Sequence, residues 1–234
     1  MSVDDPPSLE EFLAAPPEMV ARVTPATVVY QPGGSRRAAS VAGVPLDDRY
    51  AAWTGPQLVE NLALFFRLGV QDLIVDCIGP RNLRETGAHT YGQRVIAWAA
   101  ETMAGPTMLA EYQARGWQAR ILASPSLTLL TAADERLREA LPEPAAHTVW
   151  WYFVADDEDP WRAVLDVARQ SGAPDRATAI RALYGRDVAP AELHIGFGKP
   201  VMGTTIAPPL LIAAGVHGYW TQRPGLTLSE HLLR

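Results

Sequence analysis

Short apolar runs of β type alternate with longer helical stretches along this sequence, and that alternation limits the possible folds more than any other feature. Residues 27–30 (TVVY), 72–77 (DLIVDC), 118–123 (QARILA), 147–154 (HTVWWYFV), 192–195 (ELHI) and 216–220 (VHGYW) read as strands. After the first of them, Leu58, Leu62, Phe65 and Phe66 fall on one helical face. Thr54 is the expected N-cap before Gly55-Pro56, and Gly69 is the stop. Further helices are expected over 91–103, 108–115, 134–141, 161–170 and 177–184. Strands joined through helices of this length run parallel. The expected fold is therefore α/β, a mostly parallel central sheet flanked by helices. It would form one domain over 1–234, with 1–20 a loosely packed N-terminal segment. Ligands of such sheets bind beyond the carboxyl ends of the strands.

The composition removes several classes of function. The chain has 234 residues and a formal net charge of -6, which argues against a protein that grips nucleic acid through a positive stripe. One cysteine, Cys77, excludes a disulfide framework and a multi-cysteine zinc site. No apolar run approaches the roughly 20 residues of a membrane span, and the acidic start MSVDDPPSLEE is no signal peptide. A cytoplasmic protein is expected.

Four features carry candidate chemistry. The loop Gln31-Pro32-Gly33-Gly34-Ser35-Arg36-Arg37 follows the first strand. Its glycines allow close backbone approach to an anion, and its two arginines present forked donors suited to phosphate. A plain turn with two solvated arginines is the alternative. The segment Ile195-Gly196-Phe197-Gly198-Lys199-Pro200 carries the one Lys of the chain, which could close on the same phosphate or decorate a tight turn. The run Asp156-Asp157-Glu158-Asp159 could hold Mg²⁺, but it ends in Asp-Pro before a helix and is explained by an N-cap with first-turn acids. The aromatics Trp150, Trp151, Tyr152 and Phe153 would serve equally as core or as the lining of a hydrocarbon tunnel. His147 and His194 fall in strands and read as packed residues, and Cys77 as a strand thiol.

Three stretches together resemble the cis-prenyltransferases, and more closely the terpene synthases of tuberculosinol synthase type built on that fold. The first runs from Glu11-Phe12-Leu13 through the strand to Gly34-Ser35-Arg36-Arg37, where the relatives have Gly-Thr-Arg-Arg. The second is Asp47-Asp48-Arg49-Tyr50. The third is Tyr184-Gly185 followed by Ala191-Glu192-Leu193-His194-Ile195-Gly196-Phe197-Gly198. The resemblance implies a parallel sheet with a hydrophobic tunnel, a homodimer, and a prenyl or cyclic terpenyl diphosphate as substrate.

Gly33, Gly34, Ser35, Arg36 and Arg37, with Lys199, would then hold the diphosphate. Tyr50, Tyr91 and Arg37 would act in catalysis. The implied reaction releases diphosphate to give a terpene hydrocarbon or alcohol. A catalytically silent partner subunit, or prenyl transfer to a small acceptor, is the alternative. Two departures from the family stand out. Its loop carboxylate is Gly33 here, and its C-terminal Arg-x-Ser segment is replaced by Gly196-Phe197-Gly198-Lys199, which argues against chain elongation. With no carboxylate in the loop, no metal ligand is assigned, and Mg²⁺ is expected mainly as a companion of the substrate diphosphate. Restoring the acid by Gly33→Asp is expected to raise metal dependence.

Overall fold

A computed structural model describes residues 8–84, 89–141, 143–198, 200 and 205–234. Its centre is a six-stranded sheet of β1 (Thr27–Gln31), β2 (Asp72–Ile78), β3 (Trp117–Ala123), β4 (His147–Phe153), β5 (Ala191–Phe197) and β6 (Ile212–Thr221). The strand order is β3-β4-β2-β1-β5-β6, and every pairing is parallel. The helices are α1 (Leu9–Ala14), α2 (Pro17–Val20), α3 (Ser35–Val41), α4 (Asp48–Arg67), α5 (Pro80–Arg84) and α6 (His89–Met103). They continue with α7 (Pro106–Arg115), α8 (Thr128–Ala140), α9 (Asp159–Ser171), α10 (Arg176–Tyr184) and α11 (Glu230–Leu233).

Strands covered on both faces must be apolar at consecutive positions, and β1 and β4 are nearly continuous buried runs. Alternate residues serve opposite faces. Val28, Tyr30, Leu73, Val75, Trp151 and Phe153 pack under α4, α6, α7 and α8. Val29, Ile74, Trp150 and Tyr152 pack against Ile180 and Tyr184 of α10 and against Leu211. On α4, Val59, Leu62, Phe65 and Phe66 recur at the spacing of one helical face and are buried. Each such side chain taken out of water contributes about 1.5–3 kcal/mol.

Three local expectations are corrected. The first long helix starts at Asp48, capped by the Asp47 carboxylate on Arg49 N at 3.0 Å, and Pro56 lies inside it. Thr54 is no cap; its hydroxyl donates to the carbonyls of Tyr50 and Ala51 within the helix. The second half of the Gly-Gly-Ser-Arg-Arg loop is helical, since Ser35 opens α3 behind Gly34, whose φ of 81° is left-handed. The third concerns α9, where Glu158 is the cap and Asp159-Pro160 form the first turn.

The strand order reverses at β1, which has β2 on one side and β5 on the other. Chains leaving these strands diverge there and open a crevice at the carboxyl edge of the sheet.

Candidate active site

That crevice is a cleft of about 1220 Å³. The exits of β1, β2 and β5 form its floor, with α3, the first turn of α4, and α5 around it. Gly33, Gly34, Ser35, Arg36, Arg37 and Tyr50 all line it, so the fold gathers these candidates into one site. Tyr91 lies in the first turn of α6, and its side chain is outside the described residues, as is Lys199.

The turn into α3 is held rigidly. Gly33 N donates to Gln31 O at 2.8 Å, and Gly225 N donates to Gly33 O at 2.8 Å. Gly225 O in turn accepts from Tyr30 Oη at 2.8 Å and from Asn61 Nδ2 at 3.1 Å. A segment near the C-terminus thus clamps the loop onto the buried end of β1. On the other side a Cβ at Gly33 would lie 1.9 Å from the Phe197 carbonyl oxygen. Glycine stands here because the exit of β5 occupies the space. The expectation for Gly33→Asp is corrected accordingly, because the substitution must displace backbone before it can offer a metal ligand.

The polar side chains are set by the same elements. A Cβ built on Gly34 or on Gly198 would be 3.4 Å from Arg37 Nη2, so the guanidinium packs over both left-handed turns and faces the cleft. Tyr50 is buried, and its hydroxyl lies 2.7 Å from Ser35 Oγ, which joins α4 to α3. An apolar crevice of about 160 Å³ adjoins the cleft. Leu58, Trp98, Met103, Met108, Trp151 and Phe153 are among its walls. Pro32, Ser35, Tyr50, Cys77 and Val95 border both spaces. An anion in the cleft and a hydrocarbon in the crevice could therefore belong to one molecule. The buried aromatic faces suit a carbocation.

Asp76, at the exit of β2, also lines the cleft, and sequence reasoning misses it. Gln31 Nε2 donates to its Oδ2 at 2.9 Å. Its Oδ1 is out of solvent contact with no hydrogen-bond partner among the described residues. Burial pushes the carboxyl up to about 7, only partly offset by the Gln31 hydrogen bond. The available signal was an acid ending a strand of a parallel sheet, where ligands gather.

The donor set does not fit a resident Mg²⁺. A carboxylate at Gly33 has no room without a shift of the Phe197 backbone. No group of three or more His, Cys, Asp or Glu among the described residues could hold a metal. The acidic run has other partners. Asp156 accepts from Glu158 N, Asp157 pairs with Arg84, and Asp159 pairs with Arg162. His194 is buried in β5, where desolvation lowers its basicity, and His147 stacks on Phe66. Cys77 is half-buried beside the cleft, and burial drives its thiol well above the usual range.

The chain is 39% identical over 229 residues to a (+)-kolavelool synthase of Herpetosiphon aurantiacus, covering 97% of this chain and 78% of that protein. The chain belongs to the same family as that terpene synthase. No family model matches the sequence. Two solved structures share the fold. Lavandulyl diphosphate synthase from Lavandula x intermedia, in complex with dimethylallyl diphosphate, matches with a TM-score of 0.58 at 15% identity, over 91% of this chain and 93% of that one. A probable undecaprenyl diphosphate synthase from Campylobacter jejuni matches with a TM-score of 0.53 at 11% identity, over 89% and 90%. Within this terpene synthase, no helix among the described residues is long and apolar enough to cross a membrane.

Proposed function

We propose that this enzyme ionises an allylic prenyl or cyclic terpenyl diphosphate and releases diphosphate with a terpene hydrocarbon or alcohol. The observation that carries this reading is the shared border of the charged cleft and the apolar crevice at Ser35 and Tyr50. The diphosphate sits in the cleft against the Gly33-Gly34 backbone, Arg36 and Arg37. These groups are in place before the reaction, so they stabilise charge as it develops on the leaving group. The hydrocarbon runs into the crevice. There Trp98, Trp151 and Phe153 present π faces to the cation. Any Mg²⁺ arrives on the substrate diphosphate.

The test incubates the purified chain with farnesyl, geranylgeranyl and cyclic C20 diphosphates, with and without Mg²⁺. Pyrophosphate release with a hydrocarbon or alcohol product is expected for at least one of them. Tight binding of a prenyl diphosphate without release would instead favour a silent partner subunit, a reading supported by Gly33 in place of the loop carboxylate.

A further inference from the structure

We propose that Asp76 is the catalytic acid of this site, protonating the diphosphate as it departs. This rests on the reaction proposed above and supplies what the loop lacks. The loop offers no carboxylate and two arginines, so the leaving group must be neutralised by cations and protons. Asp76 is the carboxyl on the cleft floor, at the end of the strand beside β1, whose exit forms the loop. One of its oxygens is fixed by Gln31 and the other has no partner among the described residues. An unpartnered buried oxygen is costly unless a ligand or proton completes it.

The surroundings favour the neutral form. Around the carboxyl are Tyr152 on β4 and the Cys77 thiol on its own strand, and both are pushed upward by burial. Across the cleft stand Arg36 and Arg37 on α3, with Arg81 and Arg84 on α5; Arg84 is paired to Asp157. In the free protein the carboxyl is poised near neutral pH. A bound diphosphate adds negative charge beside it, which raises proton affinity further. The substrate complex thus holds a protonated Asp76 whose free oxygen can donate.

The step balances. The allylic C–O bond breaks and its electron pair stays on the diphosphate oxygen. The Asp76 proton passes to that diphosphate. The carboxylate left behind takes the proton released as the cation is quenched, from captured water or from a neighbouring C–H. The carboxyl ends the cycle as it began, and neither oxidant nor reductant is needed.

The experiment is a pH–rate profile of the parent, Asp76→Asn, Asp76→Glu and Gln31→Leu with the substrate that the parent turns over. For the parent, kcat/KM should fall on the alkaline side, above about pH 7. Asp76→Asn keeps the shape and the Gln31 hydrogen bond but cannot give up a proton. Its kcat should drop about 10²–10⁴-fold and its alkaline limb should vanish. Asp76→Glu should restore part of the rate and the limb. Gln31→Leu removes the group that lowers the Asp76 pKa, so its limb should move to higher pH. An active parent whose Asp76→Asn variant keeps both rate and limb overturns the acid role alone. Loss of Mg²⁺-dependent pyrophosphate binding in Asp76→Asn also overturns it, in favour of a metal ligand. A parent inert toward every prenyl diphosphate overturns the reaction, and the acid role with it.

Discussion

Two carboxylates on β2 face the same side of the sheet, four residues apart, and meet opposite fates. Asp72 sits at the amino end of the strand, away from the cleft. It accepts from Trp150 Nε1 at 2.7 Å and is bridged by Arg186, which also donates to Thr148 Oγ1 at 2.9 Å. Burial pushes Asp72 up, while Arg186 and the Trp150 N–H push back. Asp76 sits at the carboxyl end with one amide donor and a second oxygen that has no partner among the described residues. Burial alone therefore does not mark a site. A buried acid closed by its own partners is framework, and one left open at the carboxyl edge of a parallel sheet is placed to meet a ligand.

The sharpest way to break this contrast is to perturb each end and see which property responds. At the carboxyl end, Arg37→Ala should lower kcat/KM by about 10²–10³-fold, the usual effect of losing one donor to a developing oxyanion. Its urea midpoint should stay in place, because Arg37 is exposed. Parent-like turnover by Arg37→Ala and Arg36→Ala alike removes the loop from the diphosphate site. At the amino end, Asp72→Asn should behave in the opposite sense. It leaves the Arg186 charge poorly paired and should cost about 2–3 kcal/mol in urea denaturation, less than for a fully buried pair because Arg186 reaches solvent. Its kcat should be unchanged.

Stability against pH sharpens the comparison further. The folded pKa of Asp76 is raised above its unfolded value, so the folded state holds more protons between the two. The stability it contributes is complete below about pH 4 and is lost as pH rises through about 7. Asp76→Asn should therefore match the parent near pH 4. Above neutrality it should be the more stable of the two, by on the order of 2 kcal/mol for this part-exposed residue. The smallest effect is expected from Tyr50→Phe, which removes the hydroxyl that meets Ser35 and should cost about 1 kcal/mol. A Phe variant with unchanged rate and products makes Tyr50 a prop for α3 with no part in the chemistry.

What the sequence reveals follows the same division. The strands are legible because a sheet buried on both faces demands uninterrupted apolar runs, as in TVVY and HTVWWYF. The cleft-lining loop is legible because Gly-Gly-Ser-Arg-Arg directly follows the first of them. The start of α4 is misplaced because Pro56 reads as a first-turn residue, while Asp47, well before it in the chain, supplies the cap. Helix α3 is hidden because SRRAAS has no apolar period. The reason for Gly33 lies 164 residues away in the carbonyl of Phe197, and no local pattern reports it. Asp76 is hidden for a related cause: within DLIVDCI it looks like Asp72, and only the tertiary partners separate the two.

The most direct test of that separation follows the Asp76 carboxyl by ¹³C NMR through a pH titration, with and without inorganic pyrophosphate. Assignment comes from comparison with Asp76→Asn. A midpoint of about 7 is expected in the free protein, with an upward move when pyrophosphate binds. A midpoint in the ordinary carboxylate range, unmoved by pyrophosphate, would contradict it.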